Sequence, residues 1–418
     1  MQAAKTMNAF DLIREIKKKY LQEEYFRDNI ANFSIALFLN SQFIIRILQV
    51  FIPVLNKIGV KVVFLFSAFL MVISIRRIVL NRLHLFIPSI IVCFYFLTAF
   101  RFPNQSTVKL IEIVNCTVIP FFLVLTEFDF EKIIKYTLIL TSPAILVIDR
   151  VFVHYSDATN EVITMVLCHA VLFSINSAIA YVLYYAHFDG KQKIFFYALC
   201  AVNLYYLFEL LRFGGRSAVL SVLIFGFIAL LFRPDYSKDI ITRKNLKRII
   251  IIGAMFALMF IMIAFGKYIL LYTYVFLRNH NINARFIIKT YNLYQSADVS
   301  NGRMAIYKMA IRGFLEHPII GNGLDLFLVN TGISFPHNLF LQFMYDGGLV
   351  LLLCVSVPLL ISSVTILRTK KYSLFMPWAL LFSTTIPVMM VSGDVWIKYV
   401  FWFFVAFCLT KGRFIRFE

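Results

Sequence analysis

The chain has 418 residues, of which 61% are hydrophobic and only 15% charged. With a mean hydropathy of +0.80, it carries more apolar surface than a soluble domain can hide, which places it among polytopic membrane proteins. The net charge of +19 is not a nucleic-acid signature. Most of the Lys and Arg lie in short segments between apolar runs, where the positive-inside rule puts them.

Only helices or closed barrels satisfy their backbone polar groups in lipid. The apolar runs here are about 17–25 residues long, which suits spanning helices and not the ~10-residue alternating strands of a barrel. The expected fold is therefore all-α, a single membrane domain over residues 1–418. The six cysteines (Cys93, Cys116, Cys168, Cys200, Cys354, Cys408) all sit in apolar segments without metal-ligand spacing, so they read as small hydrophobic residues.

Residues 1–30 come first. They are charged throughout, with no apolar core of a signal peptide. Phe10, Ile13, Ile16 and Tyr20 recur near helical spacing beside Lys17-Lys18-Lys19. This pattern suits an interfacial helix on an anionic cytoplasmic leaflet, and a plain positive-inside anchor explains it equally well.

About twelve spans follow. They are expected at residues 32–52, 59–75, 83–100, 108–125, 133–149, 163–186, 194–211, 217–232, 249–265, 338–366, 373–391 and 396–410. An N-terminus placed inside collects nearly every strong basic cluster on one side. These are Arg76/Arg77/Arg82, Lys132/Lys135, Lys191/Lys193, the run from Arg233 to Arg248, Arg368/Lys370/Lys371 and the tail Lys411/Arg413/Arg416. Both termini are then cytoplasmic. One external loop, residues 266–337 between the ninth and tenth spans, is far longer than the others. A loop of that length points to function.

Three groups stand outside against the charge bias: Arg216, Arg303 and His337. Each is expected at a helix start. Arg216 follows Gly214-Gly215, Arg303 follows Ser300-Asn301-Gly302, and His337 follows Pro336 and opens the span beginning at Asn338. A helix N-terminus already carries partial positive charge, so an arginine there is locally unfavourable unless an anion compensates. Helix N-termini offer N–H donors and arginine a planar fork, a pairing suited to phosphate. A lipid-linked diphosphate at the outer surface would satisfy all three groups. Snorkelling to lipid phosphate or plain loop exposure would account for either arginine taken alone.

Helical phasing separates the charges of the run from Arg303 to Glu316. Lys308, Arg312 and Glu316 share one face at i,i+4 spacing, while Arg303 projects with Ile306, Ala310 and Phe314 toward the protein body. Arg303 and not Arg312 is thus the candidate. A helix N-terminus and a nearby arginine would depress the His337 pKa and keep the ring neutral, able to take a proton. Gly347-Gly348 would admit another helix or leave room for a polyprenyl chain. Asp346 lies on the face opposite His337 and reads as a supporting acid. Asn338 and Gly348 border the site, and Asp394, in the turn Ser392-Gly393-Asp394, is the external carboxylate candidate. Arg46, Glu112 and Glu209 fall within spans and are costly there unless paired or lining a cavity.

These motifs carry a resemblance. They run Asn301-Gly302-Arg303, an amphipathic helix to Glu316-His317-Pro318, Ile320-Gly321-Asn322-Gly323-Leu324, and Pro336-His337-Asn338-Leu339-Phe340-Leu341-Gln342 with Asp346-Gly347-Gly348. Together they look like the signature region of the bacterial O-antigen ligase and polysaccharide polymerase superfamily. Gly214-Gly215-Arg216-Ser217-Ala218 is similar to its upstream arginine motif. The resemblance implies a C-type (GT-C) membrane glycosyltransferase of the bacterial inner membrane with its active site facing the periplasm.

By that analogy donor and acceptor are undecaprenyl-diphosphate-linked oligosaccharides, and neither metal nor cofactor takes part. Arg216 and Arg303 hold the diphosphate, and His337 assists the acceptor hydroxyl. The motif following His337 is more like the polymerases, which extend a lipid-linked chain, than the ligases, which transfer it to lipid A–core. The partners implied are the lipid-linked substrates, membrane lipids and a chain-length regulator protein, with no nucleic acid. A lipid-linked oligosaccharide flippase is the rival from another class, but transporters gather binding groups near the midplane, and here polarity concentrates at one face.

Overall fold

A computed structural model describes residues 25–52, 55, 59–75, 82–103, 107–156, 161–186, 190–213, 215–235, 240–242, 268–280, 287–288, 290–292 and 302–410. The expected interfacial segment up to residue 24, the span at 249–265, Asn301 and the basic tail from 411 lie outside the described residues.

The described chain is helical apart from a two-stranded antiparallel hairpin that pairs β1 (Arg233–Asp235) with β2 (Ile240–Thr242). The helices in order are α1 (Tyr25–Leu39), α2 (Ser41–Phe51), α3 (Lys61–Ser74), α4 (Arg82–Arg101), α5 (Thr107–Leu123) and α6 (Phe130–Thr141). Next come α7 (Ile148–Ser156), α8 (Glu161–Ala170), α9 (Leu172–Ala180), α10 (Lys193–Phe213) and α11 (Arg216–Leu231). Residues 268–279 form α12. The last five are α13 (Arg303–Glu316), α14 (Phe327–Thr331), α15 (Leu339–Thr369), α16 (Tyr372–Met389) and α17 (Tyr399–Thr410).

Among the described residues, five helical stretches are long and apolar enough to cross a membrane, and α1 with α2, bent by 67°, makes a sixth if counted as one span. Four more apolar helices (Lys61–Ser74, Ile111–Leu123, Arg216–Leu231, Tyr399–Thr410) are shorter. Burial runs inside out relative to a soluble fold's surface. Every residue of α17 and nearly every residue of α16 is buried. Leu65, Phe66, Phe69 and Val72 on α3, and Leu360 and Ile361 on α15, are exposed, as helices bathed in lipid require. All six cysteines are free.

The run 133–149, expected as one span, is broken. Helix α6 ends at Thr141 and a 3-10 turn, Ser142–Leu146, follows. Pro143 has no N–H and its ring excludes the preceding turn of helix. Side chains from α10 take over the freed groups. Tyr206 donates to the Thr141 carbonyl at 2.7 Å, and Asn203 Nδ2 donates to Ser142 Oγ at 2.9 Å.

A second break shapes the site. The apolar run from 338 reads as one continuous helix, but α15 is two helices joined at Gly348, where φ is 62° and ψ −157°. That region of backbone space is open essentially to glycine alone. The break uncovers the carbonyls of Tyr345 and Asp346 and the amides of Leu349 and Val350. The turn segment 318–323 captures all four. Asn322 and Gly323 donate their N–H groups to Tyr345 O (2.8 Å) and Asp346 O (2.9 Å), while Leu349 and Val350 donate to Pro318 O (2.8 Å) and Ile319 O (3.1 Å). A Cβ at Gly348 would land on the Ile319 carbonyl, and one at Gly321 on the Asp346 backbone. These glycines thus let a strap of backbone dock into a kink, not a second helix or a prenyl chain.

Candidate functional site

The strap sets the register of two helices. Asn322 Nδ2 donates to Gly313 O at the end of α13 (2.9 Å) and to Tyr345 O in α15 (3.2 Å). Gly313 lies against the Tyr345 ring, and Ala310, Tyr345 and Phe327 form a buried cluster flanked by Ile306 and Leu341. The two helices therefore run parallel, with their N-termini at the same end. From Gly313 back to Arg303 is about 15 Å of helix, and from Tyr345 back to the start of α15 about 10 Å. Arg303 is delivered to the level of His337.

Exposure follows the phasing. Arg303, Ile306 and Phe314 are half-buried and Ala310 and Gly313 buried, whereas Lys308, Arg312 and Glu316 are exposed. Arg312 Nε pairs with Glu316 Oε1 at 3.2 Å, out in that exposed row.

Arg303 and Arg216 are each the first residue of a helix, after Gly302 (φ 77°) and Gly215 respectively, and neither helix has a side-chain cap among the described residues. Their first-turn N–H groups are thus left free of side-chain acceptors at the place where the guanidinium also sits. The Arg303 charge acts on both Arg216 and His337, so the three groups share one locality.

His337 does not open its helix. Asn338 is the cap, its Oδ1 accepting from Phe340 N (3.1 Å) and Leu341 N (3.2 Å). Asn338 Nδ2 reaches across to the Met390 carbonyl (3.4 Å). His337 precedes the cap with φ at 57°, a conformation uncommon for a residue with a side chain. Its ring lies against Phe335, with centroids 4.2 Å apart, and Nδ1 is buried without a hydrogen-bond partner among the described residues. Burial, with the Arg303 charge second, holds its pKa down from 6.5 to about 4. The ring is neutral at pH 7 with Nδ1 open to a proton.

Asp346 and Asp394 are both buried, and both belong to a polar clamp. Asp346 Oδ2 accepts from the Trp396 indole N–H. Asp394 Oδ1 accepts from Gln342 Nε2 (2.7 Å) and from Trp396 N (3.1 Å), and Gln342 Oε1 takes Val395 N (3.1 Å). The turn after α16 is thereby fastened to the first turns of α15. Glu209, costly in a span, is fully buried near the end of α10, within 3.3 Å of Tyr205 Oη and 3.9 Å of Arg212 Nη1.

The structure adds residues that sequence reasoning passed over. Buried His169 holds Ser217, the neighbour of Arg216, through Nε2 at 3.0 Å, and the Lys398 charge acts on His169. The last span was expected from residue 396, which put Lys398 inside it. The helix starts at Tyr399, so Lys398 belongs to the turn that precedes it. The bias that marked the other cations would have marked it too. No group of three or more His, Cys, Asp or Glu among the described residues is arranged to hold a metal ion.

Fold and site together describe a mainly helical polytopic membrane protein that gathers, where several helices begin, a neutral histidine and cationic groups without an ion pair among the described residues. Comparison with known proteins agrees: residues 195–356 match the O-antigen ligase family, a stretch that takes in Arg216, Arg303, His337 and the kink at Gly348. The match supports the O-antigen ligase/polymerase superfamily of membrane glycosyltransferase-like enzymes. No curated protein and no solved structure matches the chain.

Proposed function

We propose that the protein is a polysaccharide polymerase that joins undecaprenyl-diphosphate-linked oligosaccharide repeat units. The observation that carries this reading is the meeting of Arg216, Arg303 and His337, each at or just before a helix start. Arg216 and Arg303 bind the donor diphosphate, with the free first-turn N–H groups of α11 and α13 as further donors. The acceptor hydroxyl oxygen attacks C1 of the donor sugar from the face opposite the diphosphate, with inversion. The C1–O bond breaks, and its electron pair stays on the departing phosphate oxygen. The hydroxyl proton passes to His337 Nδ1. Positive charge already in place stabilises the leaving group, a task the arginines perform here without a metal.

A free-enzyme pKa of about 4 makes His337 a weak base, and general bases work best near the operating pH. A bound diphosphate answers this. It offsets the Arg303 charge, and the histidine becomes more basic when the donor is in place.

The same reading sets the chain in the bacterial inner membrane as a GT-C-type architecture of about twelve spans, with both termini cytoplasmic and the site periplasmic. Asn338, Asp346, Gly348 and Asp394 hold the frame around the reacting groups. A chain-length regulator is a further partner. The matched family's description as O-antigen ligase favours a second reading, transfer of the finished glycan to lipid A–core.

The test is incubation of purified protein with a lipid-linked repeat unit. A ladder of longer lipid-linked products is expected. Product that appears only after lipid A–core is added refutes the polymerase in favour of the ligase. Arg216→Ala, Arg303→Ala and His337→Ala should each remove product from folded protein, while Arg312→Ala should not. Activity kept by Arg303→Ala and lost by Arg312→Ala would overturn the site assignment.

A further inference from the structure

Lys398 stands in the turn before α17, half-buried and with no side-chain hydrogen bond or ion pair to another described residue. Its backbone carbonyl accepts the Phe401 and Trp402 amides (2.9 and 3.4 Å), so it sits at the start of the helix, as Arg216 and Arg303 do. A hydrogen-bonded tether and a charge interaction relate this turn to the site. On one side Asn338, the neighbour of His337, is bonded to the Met390 carbonyl at the turn's beginning, and Gln342 to Asp394 within it. On the other, the Lys398 charge reaches His169, which holds Ser217 beside Arg216 at 3.0 Å. Even a half-buried cation without a counter-ion among the described residues is costly unless an anion arrives.

We propose that Lys398 is a third cation of the reaction, matched to the negative charge that appears only as the lipid diphosphate leaves. This rests on the glycosyl-transfer reading above. Charge arithmetic distinguishes its task from that of the arginines. The sugar-capped diphosphate carries two negative charges, which Arg216 and Arg303 balance. When the C1–O bond breaks, its electron pair becomes a third charge on the phosphate oxygen. The proton released by the acceptor goes to His337, not to that oxygen. Lys398 supplies the third positive charge at that moment and contributes little before it, so its effect falls on kcat and not on KM.

The experiment compares Lys398→Met, which keeps the aliphatic stem, and Lys398→Arg, which keeps the charge, with wild type on the lipid-linked donor. Each protein is also titrated with undecaprenyl diphosphate and undecaprenyl monophosphate. Lys398→Met should lower kcat about 100-fold, the scale of losing one charge-stabilising donor, with donor KM changed less than about threefold. It should bind undecaprenyl diphosphate about tenfold more weakly while binding the monophosphate as wild type does. Lys398→Arg should recover most of the turnover.

An unchanged kcat, a change confined to KM, or an arginine variant as poor as the methionine one overturns the inference. If Lys398→Met does not fold, Lys398→Gln and Lys398→Arg carry the same comparison through the diphosphate titration. Wild-type turnover with indifferent variants refutes Lys398 alone. Wild type that neither turns over donor nor binds the diphosphate refutes the glycosyl-transfer reading and this inference with it.

Discussion

The titration of His337 is the most direct probe of the site. Its pKa falls from 6.5 to about 4, with burial the larger cause and Arg303 the smaller. The full displacement corresponds to about 3 kcal/mol between the two protonation states. Arg303 accounts for less than half of it, so Arg303→Gln should raise the midpoint by at most about one pH unit. Diethyl pyrocarbonate reacts with neutral imidazole, so carbethoxylation at His337, followed by mass spectrometry against pH, reads the midpoint directly. Wild type should stay reactive down to about pH 4, and the variant should lose reactivity at higher pH. Arg312→Gln is the control, since Arg312 is exposed and paired with Glu316. An upward shift with Arg312→Gln, or none with Arg303→Gln, would refute the electrostatic arrangement. Linkage adds a sign: between pH 6.5 and about 4 the unfolded chain takes a proton that the folded protein refuses. The His337 contribution to stability is therefore whole above 6.5 and is lost progressively as pH falls through that window.

Two further predictions concern the frame. Gly348→Ala forces a side chain into glycine-only backbone space and onto the Ile319 carbonyl. Strain of about 1–3 kcal/mol plus two weakened strap hydrogen bonds at about 1 kcal/mol each gives a loss of about 3–5 kcal/mol, read by thermal unfolding in detergent. Gly226→Ala, in open space within α11, should be neutral or stabilising, and equal effects at the two glycines would contradict the docking of strap into kink. Asn338→Ala removes the α15 cap and should cost about 1 kcal/mol. Since Asn338 also ties the turn at Met390 to the site, it should lower turnover more than its stability loss accounts for, and an unaffected kcat in folded protein would count against that tie.

Much of the candidate site was legible because charges are rare in this sequence. An arginine after a glycine pair, expected on the side that the charge bias leaves poor in cations, is conspicuous against apolar residues, and helix phasing separates Arg303 from Arg312 without coordinates. Helices were also legible: each described run expected to be apolar and helical contains one. What stayed hidden depends on partners distant in sequence. Residues 338–366 are mostly apolar and keep helical character on both sides of Gly347-Gly348, so nothing local decides that the helix breaks at Gly348. The break exists because segment 318–323 arrives to take up the freed backbone groups. Gly347-Gly348 was ambiguous for the same reason. Lys398 was hidden by Val395-Trp396 before it and the apolar run after it, which drew the expected span three residues too early.

The kink at Gly348 divides labour along α15. Four of its contacts to the strap are made by main-chain atoms, and the side chains of Pro318, Ile319 and Ile320 point outward, exposed. The joint therefore reads shape and not residue identity, apart from its glycines and Asn322. Residues 349–369 answer to the thickness of the bilayer, and residues 339–347 to the chemistry beside His337. Either half can change in sequence without retuning the other, because the stitch between them carries no side-chain code to be rewritten.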